Sequence, residues 1–539
     1  MKKTTRILSI AALVAMGIMG AACSKIESLE IETPETQKEN IVTLTSTVGF
    51  AADDTKALTG AGVKTFADGE TMAVIYNNGT STVKAVSHAL EVGDITDGGK
   101  KATFTFDLET PNKSENVTYI YPAAMANDNG TVNFAALNSQ DGTLTSLAAN
   151  LDYCTKSGAW DGENLPTLTL ENQLAILAIT LKDEAGTSEI TGSTTKLTVS
   201  DGTNTYNVNR SVAAGPIYVA IRPTSDATID ITATSDSKGY YKILTTPKSY
   251  TAGNGYSVSW KMTQGANLSK LTAAYTAQNG DKLTGELGEN VKISIADGAT
   301  VTLDGVSINA TGTWGSGNYA GITCAGDATI TLEGTNTVKG FADGYPGIFV
   351  SSGKTLVING TGELNASSNG SYDTGSGGAG IGGGDNMNCG NIEIQSGTVT
   401  ATGNQYGAGI GGGQNANCGN ITISGGTVTA TGGYRAAGIG GGRRGTNGTK
   451  NGYDSASCGN ITISGGTVIA TGGQNAAGIG GGRGNTVYYK SSCGTITITS
   501  GVTSVTATKG SGADNSIGAG NVGICGTVTI EDPSKVTQN

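Results

Sequence analysis

Gly407-Ala408-Gly409-Ile410-Gly411-Gly412-Gly413 is followed by Cys418-Gly419-Asn420-Ile421-Thr422-Ile423 and then Thr427-Val428-Thr429-Ala430-Thr431, after which the same pieces return in the same order. The Gly-Ile dipeptide recurs at Ile322, Ile348, Ile381, Ile410, Ile439 and Ile479, at offsets of 26, 33, 29, 29 and 40 residues, with a degenerate copy at Ser516-Ile517-Gly518. Behind each copy stands a first short strand, such as Asn391-Ile392-Glu393-Ile394. A second follows, such as Thr467-Val468-Ile469-Ala470-Thr471. Two or three short strands per repeat, with insertions confined to residues 446–457 and 485–491, describe one coil of a right-handed parallel β-helix. A single coil would leave its inward Ile and Val in water; stacked coils bury them in one column. At ~4.8 Å per coil, about seven or eight coils make a rod of roughly 35 Å. The insertions would project from one edge, the usual binding edge of a repeat protein.

Composition agrees with an all-β reading. Glycine supplies 85 of 539 residues, charged residues only 14% and proline 9 positions. Glycine at that level is destabilising inside helices by ~1 kcal/mol per position, which excludes a mainly helical chain. No strict three-residue glycine period exists, so a collagen is excluded too. Recurrent β-branched residues argue against disorder. The formal net charge of −11 opposes nucleic-acid binding, which needs basic surface to displace counterions from phosphate.

Residues 1–22 read as a signal peptide: Lys2, Lys3 and Arg6, then an apolar run closing in Gly20-Ala21-Ala22. Cys23 follows directly and resembles the lipobox cysteine of bacterial lipoproteins. That resemblance implies acylation at Cys23, a tether over 23–40 and a lipid-anchored, surface-exposed protein of the outer membrane. More than one acyl chain gives stable anchoring. Beyond this segment no apolar run reaches the length of a spanning helix.

From residue 41 to 262 short alternating strands such as Ala102-Thr103-Phe104-Thr105-Phe106-Asp107 are separated by Gly, Asn and Asp, the pattern of antiparallel sandwiches. Two halves are expected, 41–165 and 166–262, with 263–290 as linker or solenoid cap and 291–539 as the β-helix. Several stretches here resemble fimbrillin-like (transthyretin-like) domains. They are Phe66-Ala67-Asp68-Gly69-Glu70-Thr71-Met72-Ala73-Val74-Ile75-Tyr76, Tyr119-Ile120-Tyr121-Pro122, Asn172-Gln173-Leu174-Ala175-Ile176-Leu177-Ala178 and Gly255-Tyr256-Ser257-Val258-Ser259-Trp260. Lys56 and Phe66 stand where that family usually has Arg and Trp. The resemblance implies a surface lipoprotein that partners other fimbrial subunits.

Val301-Thr302-Leu303-Asp304-Gly305-Val306-Ser307-Ile308-Asn309 and Ile330-Thr331-Leu332-Glu333-Gly334 resemble the repeats of carbohydrate-binding β-helices of bacterial surface proteins. Cys324, Cys389, Cys418, Cys458, Cys493 and Cys525 recur about once per coil, which predicts an internal Cys ladder of small buried hydrophobes or neighbouring disulfides. No Cys-x-x-Cys pair occurs and His88 is the single histidine, so neither a metal nor a cofactor is expected. Asp297, Asp304 and Asp327 are carboxylates of the first coils, read as turn caps. After Ile-Gly-Gly-Gly the next residue is Asp385, Gln414, Arg443 and Arg483 in turn, so no catalytic carboxylate recurs in register. Tyr406 and Tyr434 precede two Gly-Ile corners, and Arg435, Arg443, Arg444 and Arg483 collect in the same coils. Tyrosine faces stack on sugar rings and Arg forks bind carboxylates. These six residues are the candidate glycan site, with polysaccharide or cell-surface glycans as partners and no catalytic residue. The expected function is a non-catalytic adhesin or polysaccharide-binding protein, as a fimbrial tip or accessory component. The alternatives are a polysaccharide lyase or hydrolase on the β-helix, and a structural fimbrial subunit with the β-helix as spacer.

Overall fold

Alternation fixes the first unit: in Lys101–Glu109 the side chains of Ala102, Phe104, Phe106 and Leu108 point inward and are buried, while those between them face out. The computed structural model describes residues 41–50, 65–151, 153–192, 195–210, 215–236, 238–288, 290–309, 318–370, 375–445, 456–485 and 490–539. Lys101–Glu109 pairs antiparallel with Ile41–Phe50, which on its other side runs parallel to Leu168–Asn172. Eight strands make one curled sheet in the order Thr82–Val86, Ala73–Asn77, Asn116–Tyr121, Cys154–Ala159, Leu168–Asn172, Ile41–Phe50, Lys101–Glu109, Ile95–Thr96. Its core includes Val48, Phe104, Tyr119, Trp160 and Leu170. The expected boundary at 165/166 is therefore corrected: Leu168–Asn172 bonds to Ile41–Phe50 and Cys154–Ala159 and completes the first sheet.

The second unit packs Ala175–Lys182, flanked by Ile217–Ile221 and Gly255–Lys261, against antiparallel strands that include Thr195–Ser200 and Asp230–Ser235. The edge of that antiparallel sheet does not end in solvent. Lys238–Ile243 pairs with Thr263–Asn267, which pairs parallel with Lys282–Glu286, and the ladder continues into the β-helix. Strands of the 263–290 segment, expected as linker or solenoid cap, thus join the solenoid. Leu268, Ala277 and Leu283 are fully buried in the solenoid core, and Tyr275–Ala277 heads its nine-stranded sheet. Asp281 sits at this joint, fully buried, accepting from Tyr275 Oη (2.6 Å), Gln264 Nε2 (2.8 Å) and Gln278 N (2.9 Å).

The chain is all-β, with curled N-terminal sheets and a large parallel solenoid. Ile293, Ile322, Ile348, Ile381, Ile410, Ile439, Ile479 and Ile517 are successive register partners in one internal file. A second file runs Val301, Ile330, Ile358, Ile394, Ile423, Ile463, Ile498, Ile530. A third runs Ala366, Ala401, Ala430, Ala470, Ala507. Each fully buried Ile contributes about 2–3 kcal/mol of transfer free energy. Glycine is required beside the first file. Gly411 and Gly440 have φ of 131° and 130°, and a Cβ on Gly411 would run into the carbonyl of Gly440. Asparagines add an outer ladder that links coils: Asn391 Oδ1 accepts from Asn420 N, and Asn420 Oδ1 from Asn460 N, both at 2.9 Å.

Candidate functional site

The corner leading into each Gly-Ile strand is where the coils leave room. Stacked backbones force glycine at Gly432, Gly433 and Gly473, because a Cβ at any of them would collide with a carbonyl of its own or the neighbouring coil. Removing side chains from the floor leaves a groove of about 450 Å3. Thr402, Asn404, Gln405, Thr431, Tyr434 and Gln474 are among the residues that line it. Asn404 is held in place, its Nδ2 donating to Asn369 O (2.6 Å) and its Oδ1 accepting from Gly378 N (2.6 Å). Among the described residues Tyr434 is the most exposed aromatic ring of the solenoid, with 39% of its surface in solvent. Hydroxyls and amides beside an exposed ring suit a sugar, which offers hydroxyls on its rim and C–H groups on its face.

Of the expected site residues, the structure brings five together. Arg435 places its Cζ 5.0 Å from the centre of the Tyr434 ring, and Arg443 places its Cζ 4.2 Å from that of Tyr406. Backbone bonds tie the same residues across coils: Arg443 N donates to Tyr406 O and Arg483 N to Arg435 O, both at 2.9 Å. Burial, and then the positive charges of Arg435 and Arg483, pull the Arg443 guanidinium below its ordinary range, with Tyr406 opposing. Arg444 points elsewhere, donating from Nη1 to Lys490 O at 3.4 Å. Cys23 lies outside the described residues, as do Tyr488 and Tyr489 of the second insertion.

Sequence reasoning missed Asn404, Gln405 and Gln474, whose only signal was their place before the Gly-Ile corner. It also missed the partial burial of Asp385, the first member of the Asp385–Gln414–Arg443–Arg483 file. Burial raises its pKa to about 6, against hydrogen bonds from Ser376 and Asn386.

The cysteines divide. Cys418 pairs with Cys458, Cys458 with Cys493 and Cys493 with Cys525 in register, and Ser351 occupies the place opposite Cys389. Cys493 and Cys525 form a disulfide, with Cα atoms 4.5 Å apart. Cys389, Cys418 and Cys458 are buried free thiols. Donating its S–H to Cys389 pushes the Cys418 thiol well up, and donating to Cys418 does the same to Cys458. Cys324 is a correction. Its register partners are Ile295 and Val350, so it belongs to an apolar file and not to the Cys ladder. Burial alone raises its pKa to about 12.

The acidic residues of the first coils hold turns and lysines. Asp297 Oδ1 accepts from Asp327 N at 2.8 Å and pairs with Lys354 at 3.2 Å, which together lower its pKa. Lys282 bridges Asp304 (3.4 Å) and Glu333 (2.7 Å). Among the described residues no group of three or more His, Cys, Asp or Glu is placed to hold a metal ion. His88 faces solvent on the first sheet, with Nε2 3.0 Å from Asp107 Oδ2.

A family model described as a beta helix repeat matches residues 392–414, 421–443 and 461–483, each segment ending on the Gln414–Arg443–Arg483 file. No curated protein matches the chain. Among solved structures, a candidate cell adhesion protein from Bacteroides uniformis ATCC 8492 is 13% identical, over 42% of this chain and 95% of that one, with a TM-score of 0.24. A fimbrial protein from Bacteroides ovatus ATCC 8483 is 14% identical, over 41% of this chain and 48% of that one, at 0.20. A C-terminally truncated tip fimbrial protein from Porphyromonas gingivalis is 12% identical, over 42% of this chain and 99% of that one, at 0.21. This chain is similar to them at that level, and its function is left to its own residues.

Proposed function

We propose that the protein is a cell-surface lipoprotein, anchored through Cys23, whose solenoid binds polysaccharide and so acts as a non-catalytic adhesin. The supporting observation is the glycine-floored groove with exposed Tyr434 beside Thr402, Asn404, Thr431 and Gln474. The Tyr434 ring that lines it also carries the Arg435 guanidinium, 5.0 Å from its centre. The sandwich units serve as the mount, as a tip or accessory component beside other fimbrial subunits. The lyase or hydrolase alternative gains no support from Asp297, Asp304 and Asp327, which are engaged with backbone N–H groups or with Lys354 and Lys282. The test is a glycan array probed with the full chain and with Tyr434→Ala. A defined set of bound glycans, weakened about fivefold to tenfold by loss of the ring, supports the reading. An empty array, or binding indifferent to Tyr434, overturns it.

A further inference from the structure

Resting on the glycan-binding reading above, we infer that Arg435, Arg443 and Arg483 form a cradle for an anionic group, so that the ligand is an acidic glycan carrying carboxylate or sulfate on its sugars. Arg443 and Arg483 occupy equivalent places in adjacent coils, three residues after the paired Gly440 and Gly480. Arg435 joins them from the corner, its carbonyl accepting from Arg483 N. Their backbones thus lie on adjacent coils, which are spaced by ~4.8 Å, and the charges of Arg435 and Arg483 reach the Arg443 guanidinium. Each of the ion pairs found among the described residues uses a lysine or His88, and none uses these three arginines.

All three are only partly exposed, and the charges of Arg435 and Arg483 act on the Arg443 cation. Gathering like charges in a part-buried setting without a counter-ion is unfavourable, and an entering anion relieves it. The chemistry of the cradle selects among anions. Planar guanidinium forks offer paired N–H groups to carboxylate and sulfate oxygens, and the rings of Tyr434 and Tyr406 back two of the forks. Tyr434 also lines the groove, so a sugar on that ring would bring its acidic substituent to Arg435. The file from Asp385 through Gln414 to Arg443 and Arg483 changes sign along the rod. A polyanion is thereby drawn to the later coils and repelled from the Asp385 end.

The test is calorimetric titration of the full chain with polygalacturonate, chondroitin sulfate and a neutral galactomannan, using wild type, Arg443→Gln, Arg483→Gln and Arg483→Lys. Arg483 is not one of the guanidiniums stacked on Tyr406 or Tyr434, so its variants probe the cradle without disturbing either stack. The inference expects at least one polyanion to bind about tenfold tighter than the neutral polymer. It expects each Gln variant to lose most of that margin while neutral binding is unchanged, and Arg483→Lys, which keeps charge but not the fork, to fall between. Polygalacturonate carries carboxylate alone and chondroitin sulfate carries carboxylate and sulfate, so binding of the second only assigns the contact to sulfate. Neutral polymer bound as tightly as the polyanions, or polyanion binding untouched by both Gln variants, overturns the cradle and leaves the groove standing. Failure to bind any glycan overturns both.

Discussion

Arg443 lies with its Cζ 4.2 Å from the centre of the Tyr406 ring, and its own backbone N–H donates to the Tyr406 carbonyl at 2.9 Å. The two residues sit in adjacent coils, so the stack is a clasp between coils as well as a support for the cation. Tyr406→Ala is expected to reduce stability by about 1 kcal/mol, whereas Tyr406→Phe, which keeps a ring face, leaves it nearly unchanged. Urea unfolding of the two variants checks this, and equal loss in both would assign the effect to the hydroxyl.

Glycine positions beside the Ile file should be far less tolerant than glycines at exposed turns. Gly411→Ala meets a positive-φ backbone and the Gly440 carbonyl at once, while Gly69 also has positive φ but has open space, with no atom within 4 Å, where a Cβ would stand. Gly69→Ala is expected to cost about 1 kcal/mol through backbone strain, and Gly411→Ala clearly more. Thermal unfolding of the pair measures the difference, which combines the collision with the Gly440 carbonyl and the φ of 131° against 82°.

Asp385 gives a pH signature. Its folded pKa of about 6 lies above the ~3.9 of an unfolded Asp, so the folded state binds the proton more tightly. The charged carboxylate then weakens the fold progressively as pH rises from about 4 to 6, and the penalty is complete above that. Asp385→Asn should be more stable than wild type at a pH of about 7.5 and no more stable at about 4. Urea midpoints at the two pH values decide it; identical differences at both would show that Asp385 titrates normally.

The buried Asp281 holds the sandwich edge to the first coil through Tyr275, Gln264 and Gln278 N. Asp281→Ala strands three donors and is expected to destabilise by about 3 kcal/mol. Hydrogen exchange should show the opening concentrated in Thr263–Asn267 and Tyr275–Ala277. Uniform loss of protection along the rod would contradict a local joint.

Cys324, Cys418 and Cys458 should be slow to alkylate in the native protein, because each is buried and its thiol is pushed up. Mass spectrometry after iodoacetamide treatment, before and after denaturation, reads this directly. Rapid native labelling at any of the three would show that the column opens there.

The solenoid is legible in the sequence because its period survives insertion: Ile439 still pairs with Ile479 and Ile463 with Ile498, so the inward residues stay in step. Boundaries are less legible. Leu168–Asn172 alternates like every strand around it, and its membership in the first sheet comes from pairing with Ile41–Phe50, a partner far away in sequence. Cys324 misleads because the turn from Cys324 to Ala328 is shorter than the one from Val350 to Leu356, so spacing to the next strand no longer tracks register. Asp281 follows Asn279-Gly280 and reads as a turn residue; only the tertiary fold encloses it. For the site, Tyr and Arg are visible as residue types out of keeping with the Gly/Thr background, whereas the groove arises from glycines whose absent side chains carry no chemical signature.

Hydrogen exchange of the full chain with and without its best-bound glycan tests the central claim most directly. Slowed exchange at Thr402–Tyr406 and Thr431–Arg435, with the sandwich strands unaffected, is the predicted result. Protection confined to the sandwich units, or none in the solenoid, would contradict it.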